Sequence, residues 1–153
     1  SRAIETVTQI AAFKDVVGLF FGAADASASL GCKLAWEPLL YARQRVVLAA
    51  SMFNLFTIDA PYFYIDKMAG LKEEAEKVKN LGFTGKAAIH PDQIDHINEA
   101  FSPSAEEKEE AKKVLEEYQK SGGGAIKVDG QMIDEPIAEA MRLKITLGEE
   151  EKD

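Results

Sequence analysis

Three stretches of this sequence place polar or ionisable groups directly after apolar runs. Gly22-Ala23-Ala24-Asp25 follows Val16-Val17-Gly18-Leu19-Phe20-Phe21, Asp59-Ala60-Pro61-Tyr62 follows Leu55-Phe56-Thr57-Ile58, and His90-Pro91-Asp92-Gln93 follows Lys86-Ala87-Ala88-Ile89. A carboxylate such as Asp25, after a buried strand and a glycine, can project into a cavity at the strand's end. Mg²⁺ is held in such places by one or two carboxylates, with waters and substrate oxygens completing its shell. The plainer role for Asp25 is to cap the loop or the next helix, and spacing alone favours that. Asp59 reads as a buried, hydrogen-bonded carboxylate that fixes its loop. His90, alone before a proline, reads as structural rather than as an acid or base. Asp134, in Ile133-Asp134-Glu135-Pro136, has the pattern of a helix N-cap. Arg43 and Arg45 fall on one helix, at least one of them a salt-bridged surface residue, and Lys86 is open between a structural and a ligand role.

Other chemistries find no support. Gly122-Gly123-Gly124 lacks the strand–helix frame of a phosphate cradle, and His90 and His96 lack metal-ligand spacing. The formal charge is -8 and the pI about 4.9, which argues against a sequence-independent grip on nucleic acid or an anionic membrane. Cys32 is the single cysteine, so there is no internal disulfide and a reducing, cytoplasmic setting is expected. The longest apolar stretch, 46–65, contains Asn54, Thr57, Asp59 and Pro61 and reads as helix, turn and strand rather than a membrane span. The start is polar, without a secretory signal or an initiator Met, so the sequence is expected to begin inside a longer gene product.

The elements that must position these groups alternate. Helical spacing at Ile4, Val7 and Ile10 predicts a helix over 4–13, and the run 16–21 predicts a strand buried on both faces. A loop of functional length is expected over 22–38, a helix over 37–53, a strand over 55–61 and a charged helix over 69–81 capped by Gly82. A short strand over 86–91 leads into a helix with Pro91 near its first position. After Phe101 the character changes. Ser102-Pro103-Ser104-Ala105-Glu106-Glu107 has the pattern of a helix N-cap with acidic residues in the first turn, the helix runs to about 119, and 121–124 stops it. A hairpin turns at Asp129-Gly130 within 125–134, a last helix covers 135–147, and the acidic tail 149–153 is expected to fray.

This βα alternation predicts an α/β fold with parallel strands, whose ligands bind at the carboxyl ends of the strands. Three such strands need both faces and both edges covered, yet the chain offers only about four helices. A closed eight-stranded barrel takes roughly 200 residues or more. The chain is therefore a small open sheet or one end of a barrel.

Motifs distinguish the two. Residues 22–31, Gly-Ala-Ala-Asp-Ala-Ser-Ala-Ser-Leu-Gly, resemble the Gly-x-x-Asp-Leu-Ser-Ala-Ser-Leu-Gly loop of HpcH/HpaI aldolases. Tyr41-Ala42-Arg43-Gln44-Arg45 and Ile58-Asp59-Ala60-Pro61-Tyr62 are similar to the following segment of the citrate lyase beta-subunit-like (malyl-CoA lyase-like) branch. Gly82-Phe83-Thr84-Gly85-Lys86 with Ile89-His90-Pro91-Asp92-Gln93, and Asp129-Gly130-Gln131-Met132-Ile133-Asp134-Glu135-Pro136, resemble that branch's later signatures. Ala24 and Ala26 depart from the family's Glu and Leu at those positions.

The resemblance implies the C-terminal part of a TIM (β/α)8 barrel, about three βα units over 1–101, followed by a helical lid with a β-hairpin over 102–153. It implies a carbon–carbon lyase that cleaves a CoA thioester of a hydroxy acid, of malyl-CoA or citramalyl-CoA type, with Mg²⁺ as cofactor. Asp25 is then a Mg²⁺ ligand, Asp134 the proton-transferring residue, and His90 and Pro91 a turn beside the CoA groove. Asp134 would act in a neighbouring subunit's site, which implies a homo-oligomer, a trimer or hexamer. The family's first metal-binding Glu and its substrate-binding Arg lie on earlier strands. Glu5, in Ile-Glu-Thr, only mimics the former, since it falls inside a helix. The fragment alone is accordingly expected to be inactive and to associate through uncovered strand edges. A thioester hydrolase on the same scaffold and a non-catalytic split subunit or binding module are the alternatives.

Overall fold

The three apolar runs lie side by side as β1 (Gly18–Phe20), β2 (Phe56–Asp59) and β3 (Gly85–Lys86), a parallel sheet in that order. The computed structural model describes residues 1–122 and 124–147, in two units that divide between Phe101 and Ser102. In the first unit, α1 (Arg2–Glu5), α2 (Val7–Ala11), α3 (Ala23–Leu30), α4 (Trp36–Ser51), α5 (Met68–Asn80) and α6 (Ile94–Phe101) accompany the sheet. Their apolar stripes meet in a core that includes Val7, Phe21, Leu39, Val46, Val78 and Phe83.

Register decides which side chains join that core. Leu19 pairs with Thr57 and Asp59 with Lys86, and these residues face the helices. Phe20 pairs with Ile58 and Gly18 with Phe56 on the opposite face, where Phe20 is 62% and Phe56 67% exposed. The expectation of a strand buried on both faces is therefore corrected: within this chain only one face of the sheet is covered. β3 has two residues, and Thr84 extends its grip. Thr84 Oγ1 accepts from the Thr57 amide and donates to the Thr57 carbonyl, at 2.9 Å each.

Two further expectations are corrected. The segment 22–38 is not all loop, because α3 occupies its first half. Its alanines favour helix, Asp25 lies in the first turn where the helix dipole welcomes an anion, and Gly31 closes the helix at φ +66°. The helix expected over 4–13 breaks at Thr6, whose hydroxyl donates to the Arg2 carbonyl at 3.1 Å.

The second unit holds α7 (Ala105–Lys120), the antiparallel hairpin β4 (Ile126–Val128) and β5 (Gln131–Ile133), and α8 (Glu135–Leu147). Ser104 and Glu107 form a reciprocal capping box at the start of α7. Asp129 and Gly130 take φ +47° and +90°, the left-handed pair that a tight two-residue hairpin requires. The fraying expected of 149–153 lies outside the described residues. Among the described residues, no helix is long and apolar enough to cross a membrane.

Candidate active site at the carboxyl ends of the strands

Asp25 leaves the end of β1 on the first turn of α3 and is exposed, on the rim of a cavity of about 370 Å³ that Phe20, Gly22 and Ile4 also line. Its carboxylate folds back over Gly22, where a Cβ would stand 3.1 Å from Oδ2. No cation pairs with Asp25 among the described residues. Its oxygens are thus free to meet a hard cation. No cluster of three or more His, Cys, Asp or Glu side chains gathers among the described residues, so the chain's fit to Mg²⁺ is that of a single carboxylate ligand.

Below the end of β2 lies a buried charge network. Asp59, with no exposure, accepts from Arg43 Nε at 2.9 Å through Oδ1 and from Lys86 Nζ at 2.8 Å through Oδ2. Lys86 Nζ also donates to the Ala60 carbonyl and to Glu74 Oε1, each at 2.7 Å, which engages all three of its hydrogens. The Arg43 guanidinium carbon stands 5.1 Å from the Phe21 ring centroid and 4.8 Å from that of Trp36. Arg43 is therefore no surface residue, whereas Arg45 is half-buried. Burial, with the nearby Glu74, Tyr64 and Glu73, pushes the Tyr62 phenol above its ordinary 10.0.

At the end of β3, His90 precedes a 3₁₀ turn over Pro91–Gln93, and its Nδ1 accepts from the Asp92 amide at 3.3 Å. Gln93 is fully buried. Its Oε1 accepts from the Ile89 amide and its Nε2 donates to the Tyr62 carbonyl, both at 2.9 Å, so one side chain joins the loops that follow β2 and β3. Asp25 and His90 thus stand at the ends of β1 and β3 with β2 between them.

Asp134 belongs to the second unit and sits between β5 and α8, half-buried, with Oδ1 accepting from the Ile137 amide at 3.4 Å. The first turn of α8 is anchored next to it. Hydrogen bonds from Arg142 and Tyr118 hold the Glu135 carboxyl below its ordinary 4.5. Tyr118 is itself raised by burial and by that bond to Glu135.

The buried roles of Arg43 and Gln93 were not read from the sequence. Arg43 did carry a signal, since it lies on the same helical stripe as Leu39, Val46 and Ala50, where an unpaired cation would be costly. Gln93 carried none, because its partners are backbone groups brought close only by the fold.

Comparison with known proteins follows the same residues. The family described as HpcH/HpaI aldolase/citrate lyase matches residues 1–91. The chain is 39% identical over 144 residues to the mitochondrial citramalyl-CoA lyase of Homo sapiens, covering 91% of this chain and 42% of that protein. It is 34% identical over 146 residues to citrate lyase subunit beta of Haemophilus influenzae, covering 92% and 50%. The crystal structure of CitE from Mycobacterium tuberculosis in complex with magnesium, acetoacetate and coenzyme A superposes with a TM-score of 0.87 at 32% identity, over 97% of this chain and 58% of that one. The chain spans about half the length of the curated relatives it matches.

Proposed function

This chain belongs to the HpcH/HpaI aldolase/citrate lyase family, and we propose that it is the C-terminal part of a Mg²⁺-dependent carbon–carbon lyase of the citrate lyase beta-subunit-like branch. Its substrate class is a CoA thioester of a hydroxy acid, malyl-CoA or citramalyl-CoA in type. The observation that carries this is Asp25, an unpaired carboxylate at the carboxyl end of a parallel strand, in a chain that matches a magnesium- and coenzyme A-bound relative over nearly its whole length.

In this reading residues 1–101 are about three βα units of a (β/α)8 barrel and 102–153 a lid. The apolar face bearing Phe20 and Phe56 supports it, since barrel strands turn such residues inward onto side chains from the remaining strands. Asp134 works in the site of a neighbouring subunit of a homo-oligomer. A cytoplasmic setting rests on the single thiol of Cys32, although the human relative is named as mitochondrial.

In the cleavage direction the hydroxyl of the substrate loses its proton as the adjacent carbon–carbon bond breaks. The electron pair passes to the thioester fragment as an enolate, which takes a proton on carbon, leaving a shorter acyl-CoA and an oxo acid. Mg²⁺, when bound, would supply stabilisation of the negative charge that develops in the reaction. Asp25 would hold the ion through its carboxylate, and Asp134 carries the proton to and from the enolate carbon. His90 and Pro91 shape the groove for CoA.

The test is Mg²⁺-dependent release of acyl-CoA from malyl-CoA and citramalyl-CoA by the complete protein that contains this chain. Asp134→Ala is expected to slow turnover by about 10²–10⁴-fold, and Asp25→Asn to raise the Mg²⁺ concentration required. Turnover undiminished by Asp134→Ala removes that residue from the mechanism. Failure to cleave either thioester leaves a binding module in place of the lyase.

A further inference from the structure

Asp134 joins two elements that are each fixed on the core of the second unit. Ahead of it, Ile133 pairs with Ile126 across the hairpin and is fully buried. Behind it, Ala138 is fully buried on α8, and its amide donates to the Asp134 carbonyl at 2.9 Å. The backbone of residue 134 is thus held from both sides, whereas its side chain is held weakly. Oδ1 accepts from the Ile137 amide at 3.4 Å, beyond the usual span of an N–H···O bond. Ser104 makes a firm cap on α7 by comparison: its hydroxyl accepts from the Glu107 amide at 3.1 Å, and its own amide donates to Glu107 Oε2 at 2.9 Å.

The start of α8 is secured one residue further on. Tyr118 of α7 is 4% exposed and belongs to the same apolar cluster as Ile133 and Ala138, the buried residues on either side of Asp134. Its hydroxyl donates to the Glu135 carboxylate, which also accepts from Arg142 Nη1 at 2.7 Å. An exposed ion pair contributes little by itself, but a hydroxyl on a buried ring fixes both place and direction. Residue 135 therefore ties the first turn of α8 to α7 without a firm cap at residue 134. A carboxylate that capped the helix firmly could not at the same moment exchange a proton with a substrate.

We propose that Tyr118 is a positioning residue for Asp134: by tying Glu135 to α7 it holds the turn that presents Asp134, and it releases the Asp134 carboxylate from the work of capping. The inference rests on the proposed function for what that carboxylate then does, which is to move a proton. The tie between Tyr118 and the turn stands apart from that reading and is measured without turnover.

Hydrogen exchange on the 153-residue chain reads the tie directly. Tyr118→Phe keeps the ring and loses only the hydroxyl, and should speed exchange of the Ala138 amide about tenfold or more at neutral pH. Asp134→Ala, which removes only the long cap, should leave that amide close to its parent rate. Glu135→Ala takes the acceptor away at an exposed side chain, should act as Tyr118→Phe does, and decides the matter if that variant does not fold. In the complete protein, Tyr118→Phe should lower kcat for malyl-CoA or citramalyl-CoA about tenfold with KM unchanged, because a misplaced proton carrier slows the chemical step and not binding. The solvent deuterium isotope effect on kcat should rise with it, which a mere loss of folded enzyme would not produce. Ala138 exchange unmoved by Tyr118→Phe and Glu135→Ala, or quickened as much by Asp134→Ala, overturns the proposal, as does a Tyr118→Phe enzyme with the parent's kcat and isotope effect. If the complete protein cleaves neither thioester, the lyase reading fails while the exchange rates still decide whether Tyr118 holds the turn, so the two failures are told apart.

Discussion

Lys86 Nζ and Asp59 Oδ2 stand 2.8 Å apart with neither side chain reached by solvent, and every further hydrogen of that ammonium is engaged by Glu74 or the Ala60 carbonyl. A buried pair of this kind is costly to form and far costlier to break on one side, since the remaining charge stays where water cannot follow. Lys86→Met should destabilise the chain by about 3–5 kcal/mol, read as a lower urea midpoint with an unchanged slope. An unaltered midpoint would show that the network carries no structural role.

Gln93 makes a quieter connection whose removal is equally direct. Gln93→Leu preserves the side chain's bulk but leaves the Ile89 amide and the Tyr62 carbonyl without their partner. Each buried orphan costs about 1–3 kcal/mol. The Ile89 amide should then exchange with solvent faster than in the parent, while the Phe21 amide, which donates to the Ile58 carbonyl at 2.9 Å, keeps its protection relative to global stability. Unchanged exchange at Ile89 contradicts the clasp.

The difference in legibility between these two residues has a physical basis. The order of elements, the capping box at Ser104 and the hairpin at Asp129-Gly130 are local, set by spacing and backbone preference within a few residues. The strand ends carrying Asp25 and His90 were equally plain, because each follows an apolar run. Non-local groupings were not. Arg43 pairs with Asp59 of β2, which Lys86 of β3 links on to Glu74 of α5, and nothing in the sequence around position 43 names them. Helix α3 was hidden although its alanines favour helix, because small residues give no large-apolar stripe at helical spacing to mark it.

The uncovered sheet face makes its own prediction. Phe20 and Phe56 stand together on it, an apolar surface of the kind that draws proteins together. The 153-residue chain should scatter light as an associated species at micromolar concentration, and Phe20→Ser with Phe56→Ser should lower the apparent mass. A monodisperse monomer in the parent would mean that this face is not adhesive.

In the second unit, acid should loosen the start of α8. Glu135 is held below its ordinary 4.5 by Arg142 and Tyr118. A lowered carboxyl contributes stability that is complete above that ordinary value and lost as the pH falls through the lowered one. Arg142→Gln should therefore speed exchange of the Ala138 amide, which donates to the Asp134 carbonyl at 2.9 Å, when measured at neutral pH. The gap between variant and parent should close as the pH drops below 4.5. A gap that persists into strong acid would assign the effect to packing rather than to the ion pair.

Gly70 and Tyr62 set two effects of opposite sign against each other. A Cβ at Gly70, inside α5, would meet the Tyr62 hydroxyl, so the ring must move to admit it. The same methyl favours helix over glycine by about 0.5–1 kcal/mol. Because the atom in the way is the far end of a side chain and not backbone, the ring can swing aside at modest cost, and Gly70→Ala should fall within about 1 kcal/mol of the parent in urea. Stability lost by several times that margin would mean that Tyr62 is locked by its surroundings.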